Sequence, residues 1–137
     1  PIGEFLRKLV PPGETLLIWG YAPKFHVFSQ IPSAVRTACP INLICSDPTS
    51  DDTSRRFHEA FFEDLKKSKP AIILDAPDEF VPLDPNYPKG VMARHNLLKP
   101  MAEIIKSDYE FQQQIPSLPG KVPIIVYRRK SAGVSIQ

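Results

Sequence analysis

The chain has 137 residues, of which 42% are hydrophobic and 23% charged, and a formal net charge of +2. That length suits a single domain with a real core. The weak, scattered charge excludes the basic stripe of a nucleic-acid binder, so no nucleic-acid partner is expected. Sixteen prolines against six glycines predict long, stiffened connections between few regular elements. No apolar run approaches the roughly 20 residues that span a bilayer. The chain begins without Met and reads as a piece of a longer protein.

Residues 2–10 place Ile2, Phe5, Leu6, Leu9 and Val10 at helical spacing, with Glu4, Arg7 and Lys8 on the wet face, and Pro11, Pro12 and Gly13 end this helix. Leu16, Leu17, Ile18 and Trp19 follow as a short run apolar on both faces and closed by Gly20, the pattern of a buried central strand. Pro23 then opens a short helix to about residue 30, from which Phe25 and Phe28, with Val27, are expected to pack under the sheet. A further strand is expected within 31–36 or 41–45, followed by a polar loop at 46–53 rich in capping residues.

The helix from about 54 to 68 is marked by Phe57, Phe61 and Leu65, with Lys66, Lys67 and Lys69 at its negative end and Pro70 as its stop. Residues 71–75 predict a second buried strand, parallel to the first. A long proline-bearing connection at 76–96 has the length of a functional loop. A helix at 100–107, an alternating strand at 109–115 and an apolar strand at 122–127 complete the chain, the last two close enough for an antiparallel hairpin. The expected fold is a three-layer α/β sandwich with a mostly parallel, Rossmann-like sheet ending in that hairpin. Residues 131–137 are expected to form a frayed tail.

Ligands of α/β proteins usually lie at the carboxyl ends of the strands, which points to the turn after Trp19 and to Asp75. Gly20 is followed by Tyr21, Ala22 and Pro23, so neither a dinucleotide fingerprint nor a P-loop is present. There is no Gly-x-Ser-x-Gly elbow. His58 and Glu59 lack the second histidine of a zinc-protease helix, and they read as part of a solvated helix face. His26 and His95 have no neighbouring nucleophile. Asp75, Asp78 and Glu79 cluster past the second strand, where carboxylates bind metal, act as bases, or cap the next turn. Trp19 and Tyr21 flank Gly20 either as a sugar-stacking platform or, for Trp19, as core. Cys39 and Cys45 have no surrounding ligand cluster and read as free thiols or, in an oxidising compartment, a small-loop disulfide. Arg128, Arg129 and Lys130 form a basic cluster suited to solvent or to anionic headgroups.

Several local patterns, in order, carry a resemblance. They are Val10 to Gly20 with its Pro11, Pro12, Gly13, Glu14 lead-in, then Pro23 and Ser29, Ser33 to Arg36, Phe61 to Leu65, Lys69 to Asp75, Tyr109, and Ile125 to Arg129. Together they resemble the soluble carboxyl-terminal domain of bacterial polytopic membrane glycosyltransferases. This is the protein mannosyltransferase and aminoarabinose transferase group, which uses polyprenyl-phosphate-linked sugars. The resemblance covers nearly the whole chain. It implies that the catalytic acids lie in extracytoplasmic loops of a membrane part outside this chain, so no catalytic residue, metal or cofactor is expected here.

It further implies a single accessory domain over residues 1–137 on the periplasmic side of the membrane, with residues 1–12 as a connector helix from an upstream membrane part. Its partners would be that transmembrane part of the same polypeptide and a lipid-linked sugar or acceptor. The candidate ligand surface is Trp19, Gly20, Tyr21, Arg36, Asp75, Asp78 and Glu79, with 76–96 as a flap. The alternative is a free-standing small-ligand or protein-binding α/β module. A stand-alone metal enzyme built on Asp75 and Asp78 is a third reading.

Overall fold

The computed structural model describes residues 2–20, 22–36, 47–76, 98–116 and 123–131. Among these residues eight elements run in chain order: α1 (Ile2–Leu9), β1 (Leu16–Trp19), α2 (Lys24–Ser29), α3 (Asp52–Ser68), β2 (Ile72–Asp75), α4 (Leu98–Asp108), β3 (Tyr109–Ile115) and β4 (Ile124–Arg129). The protein is a mixed α/β fold around an open four-stranded sheet of order β1-β2-β4-β3.

β1 and β2 are parallel, pairing Leu16 with Ile72 through to Trp19 with Asp75. β4 is antiparallel both to β2 and to β3. The described sheet is therefore mixed rather than mostly parallel. The reason lies in the hairpin. Two short-linked strands must run antiparallel, and of the two it is β4 that carries Ile124, Ile125, Val126 and Tyr127. The glutamine-rich β3 cannot fill a central position without burying amides, so the apolar strand docks against β2 and β3 takes the edge. A register shift between Phe111 and Gln113 interrupts the β3–β4 ladder.

Successive residues of the central strands feed two separate apolar clusters. Leu17, Trp19, Ile73, Ile125 and Tyr127 join Phe61 and Leu65 of α3 and Met101 of α4. Leu16, Ile18, Ile72, Leu74 and Val126 join Leu6 and Val10 near α1 and Phe25 of α2. This alternation explains why β1 and β2 are apolar at nearly every position: both of their faces are buried.

Local chemistry sets the boundaries. Asp51 caps α3, its side chain accepting from the Ser54 N–H at 2.7 Å, so the helix begins two residues before the expected position. Lys69 ends α3 in the left-handed region, φ 43°, with its N–H donating to the Leu65 carbonyl. Gln30 closes α2 in the same conformation at φ 58°.

Three expectations change. Phe57 is exposed, and the buried stripe of α3 is His58, Phe61 and Leu65. His58 thus belongs to the inner side of the helix, not to its solvated face. Of the three apolar side chains of α2 only Phe25 packs inward, while Val27 and Phe28 face out. The segment 31–36 forms a single parallel bridge, Leu16 with Ser33, rather than a strand. The Leu16 N–H donates to the Pro32 carbonyl and the Ala34 N–H to the Leu16 carbonyl, both at 3.0 Å. Pro32 has no N–H to extend this ladder, and the Ser33 hydroxyl, donating to the Val35 carbonyl at 2.7 Å, bends the chain away. Residues 41–45 lie outside the described residues.

Candidate functional site

Parallel pairing in register brings the carboxyl ends of β1 and β2 side by side. Trp19 and Asp75 are register partners, and the Ala76 N–H donates to the Trp19 carbonyl at 2.8 Å. Gly20 leaves β1 at φ 127°, a backbone region that side-chain-bearing residues rarely adopt. Trp19, Gly20 and Asp75 therefore share one end of the sheet, as the sequence predicts.

Their side chains face inward. Trp19 is fully buried, its ring meeting Phe61 edge-on with centroids 6.4 Å apart, and so offers no face for a sugar to stack on. Asp75 is also fully buried. Tyr21, Asp78 and Glu79 lie outside the described residues, as do Cys39, Cys45, His95 and all of the 76–96 connection after Ala76.

Arg36 is held elsewhere. Its Nε and Nη2 donate to the two oxygens of Asp64 on α3 at 2.9 and 2.7 Å, and its backbone N–H donates to the same carboxylate at 2.9 Å. Hydrogen bonds from Arg36 hold the Asp64 carboxyl below the ordinary carboxylate range, and Asp64 in turn raises the Arg36 guanidinium. The Ser68 hydroxyl adds a bond to the Ala34 carbonyl at 2.7 Å. The 33–36 segment is thereby clamped along α3, and its one cation is already paired.

At the opposite end of the sheet a second polar set ties distant strands together. Arg129 pairs with Glu14 at 3.2 Å and donates to the Lys69 carbonyl, and the buried Tyr109 hydroxyl donates to the Pro70 carbonyl at 2.6 Å. Part of the expected basic cluster thus serves as a strap across the ends of β1, β2 and β4, with Glu110 taking up Arg128 at 3.1 Å.

Two surface features escaped sequence reasoning. A groove of about 470 Å³ runs along α3, lined among others by Pro48, His58, Phe62 and Lys66; the position of His58 three residues before Phe61 was its only signal. The other is the outward pair Val27 and Phe28 on α2, next to α1. Among the described residues no group of three or more His, Cys, Asp or Glu side chains is arranged to hold a metal ion, and no helix is long and apolar enough to cross a membrane. No protein-family model, curated protein or solved structure matches this chain.

Proposed function

We propose that this chain is a non-catalytic accessory domain of a membrane glycosyltransferase that uses polyprenyl-phosphate-linked sugars. In this reading it sits on the periplasmic side, joins its transmembrane part through the α1 end, and helps to position the lipid-linked donor or the acceptor. The arrangement of its layers as a three-layer, Rossmann-like sandwich belongs to the same proposal, supported by the alternation of β1 and β2 side chains between two clusters.

One observation carries the reading beyond the sequence resemblance. Among the described residues, the candidate groups are engaged within the fold: Trp19 and Asp75 are enclosed at the sheet's carboxyl end, and Arg36, away from it, is bound to Asp64 on α3. Reacting groups need access to substrate, whereas a bracing or positioning domain needs only a rigid body. The test is to assay the 137-residue chain and the full-length gene product side by side with a polyprenyl-phosphate sugar. Transfer by the full-length protein alone, from a reading frame with several apolar segments of roughly 20 residues upstream, is the expected result. Transfer by the isolated chain, or a frame that starts near Ile2, would remove the proposal.

The alternative, a free-standing small-ligand or protein-binding module, draws on the groove along α3. It predicts a ligand whose affinity drops when Phe62 is replaced by a polar residue.

A further inference from the structure

Helix α2 divides sharply into two sides. Phe25 and Ser29 are buried, four residues apart on one side. Lys24, Val27 and Phe28 share the other, since positions three and four apart lie on one helix face. Val27 is 72% exposed and Phe28 55%. In a helix of only two turns, the Ser29 hydroxyl turns inward to accept from the Ile31 N–H at 3.3 Å, and the larger aromatic surface of Phe28 is left in water.

The surroundings of this pair are cationic. Helix α1 approaches α2 so closely that a Cβ on Gly3 would collide with the Phe28 carbonyl oxygen; only a glycine allows the contact. The approach sets Arg7 beside Phe28, its Nη1 donating to the Phe28 carbonyl at 2.9 Å and to the Ser29 carbonyl at 3.4 Å. Lys24 lies on α2 itself, its Nζ 5.8 Å from the Phe25 ring centroid, and Lys8 is exposed on α1 one turn after Glu4. Against these three cations the two helices carry one exposed carboxylate, Glu4. An exposed aromatic and a β-branched side chain, with Lys24 on the same helix and Arg7 against its carboxyl end, is the composition of a surface that enters the headgroup region of an anionic bilayer. A protein partner's apolar face would leave these cations to be desolvated without counter-charge.

We infer that the α1–α2 face, with Val27 and Phe28 inserted and Lys24 and Arg7 paired to headgroup phosphates, docks this domain on an anionic lipid surface. This deepens the proposed function and rests on it for placing a bilayer beside the domain. It also fixes which side of the domain faces the membrane.

The experiment is co-sedimentation of the 137-residue chain with vesicles of phosphatidylcholine alone and of equimolar phosphatidylcholine and phosphatidylglycerol. Binding to the anionic vesicles is expected to exceed that to the neutral ones, and to weaken as salt shortens the screening length. Lys24→Gln should reduce the partition coefficient about fivefold. A Val27→Ser, Phe28→Ser double variant should reduce it at least about tenfold. Both changes are on exposed positions, and circular dichroism checks that the fold persists. Absence of binding to anionic vesicles at low salt, equal binding to neutral vesicles, or a double-serine variant that binds like the parent would each overturn the inference. A full-length protein with upstream membrane segments whose isolated domain ignores vesicles would sink this inference while leaving the accessory-domain reading in place.

Discussion

The Asp64 carboxylate accepts three hydrogen bonds from Arg36, two from the guanidinium and one from the backbone N–H. The two substitutions that break this pair are therefore unequal. Arg36→Ala removes an exposed side chain and leaves the backbone bond to Asp64 in place, so the melting temperature should change little. Asp64→Ala also strands a backbone donor and frees the 33–36 segment from α3, and it should lower the melting temperature clearly more. Equal effects in thermal melts would show that the backbone bond contributes nothing.

The same pair fixes a pH dependence. Asp64 titrates lower in the folded chain than its ordinary value of 3.8, first because of the Arg36 side chain and then because of the Arg36 backbone N–H. A depressed folded-state value means the stabilisation is present above the unfolded value and is lost as pH falls through the folded one. Melts taken from neutral pH down into strong acid should show a steeper decline for the parent chain than for Asp64→Ala, which has no carboxylate to titrate.

The Asp51 cap offers an independent test on the same helix. Its carboxylate is held below the ordinary range, chiefly by the Ser54 N–H and then by the Ser50 side chain. Asp51→Ala should lower the melting temperature, whereas Asp51→Asn retains an acceptor for the Ser54 N–H and should restore most of it. The alanine variant should also lose part of the acid sensitivity. Hydrogen exchange at the first turn of α3 would report the fraying directly.

Gly3→Ala is expected to destabilise even though it sits in a helix. Alanine normally gains about 1 kcal/mol over glycine in a helix interior. Here the new Cβ would meet the Phe28 carbonyl, with its carbon only 2.8 Å away, and overpacking of this kind typically costs ~1–3 kcal/mol. A lower denaturant midpoint is the expected outcome. A higher one would mean that α1 and α2 do not approach as described.

Tyr109→Phe removes the buried hydroxyl that donates to Pro70 and should cost ~1–3 kcal/mol, because the Pro70 carbonyl is left without its partner. Burial raises the Tyr109 phenol above its ordinary value of 10.0. The neutral form is the one the fold favours, so this contribution is complete below pH 10.0 and is lost as pH rises beyond it. Phenolate absorbance should therefore show one of the four tyrosines ionising late, together with unfolding, and that step should vanish in the variant.

What could be read from sequence was what depends on neighbours along the chain. Leu16 to Trp19 stand between Pro11–Pro12–Gly13 and Gly20, and those punctuation residues mark a strand without reference to the rest of the fold. Likewise Phe61 and Leu65 mark α3, and Pro70 marks its end. Helix phase was harder, since Phe57 and His58 both lie one helical turn from Phe61 and only tertiary packing decides that the histidine turns inward. For α2, six residues are too few for periodicity to choose between Phe25 and Phe28. The Arg36–Asp64 clamp joins positions 28 residues apart, and the seat of β4 beside β2 depends on which hairpin strand can be buried. Neither leaves a local trace. This is why the sequence places Trp19, Gly20 and Asp75 at one sheet end, where Trp19 and Asp75 are register partners, whereas the engagement of Arg36 by α3 has no signature in it.

The seat of β4 also bears on how the chain is made. β4, the last of the described strands, is interior to the sheet, flanked by β2 and β3, so this sheet cannot close while residues after Ile124 are still within the ribosome. Until then the buried edge of β2 and the inner faces of Leu74 and Ile73 lack their covering strand, and vectorial synthesis holds an adhesive intermediate for the whole time taken to add α4, β3 and β4. A nascent chain stalled before Ile124 should accordingly be recognised by chaperones and digested readily, and one stalled late enough for Arg129 to have emerged should resist protease.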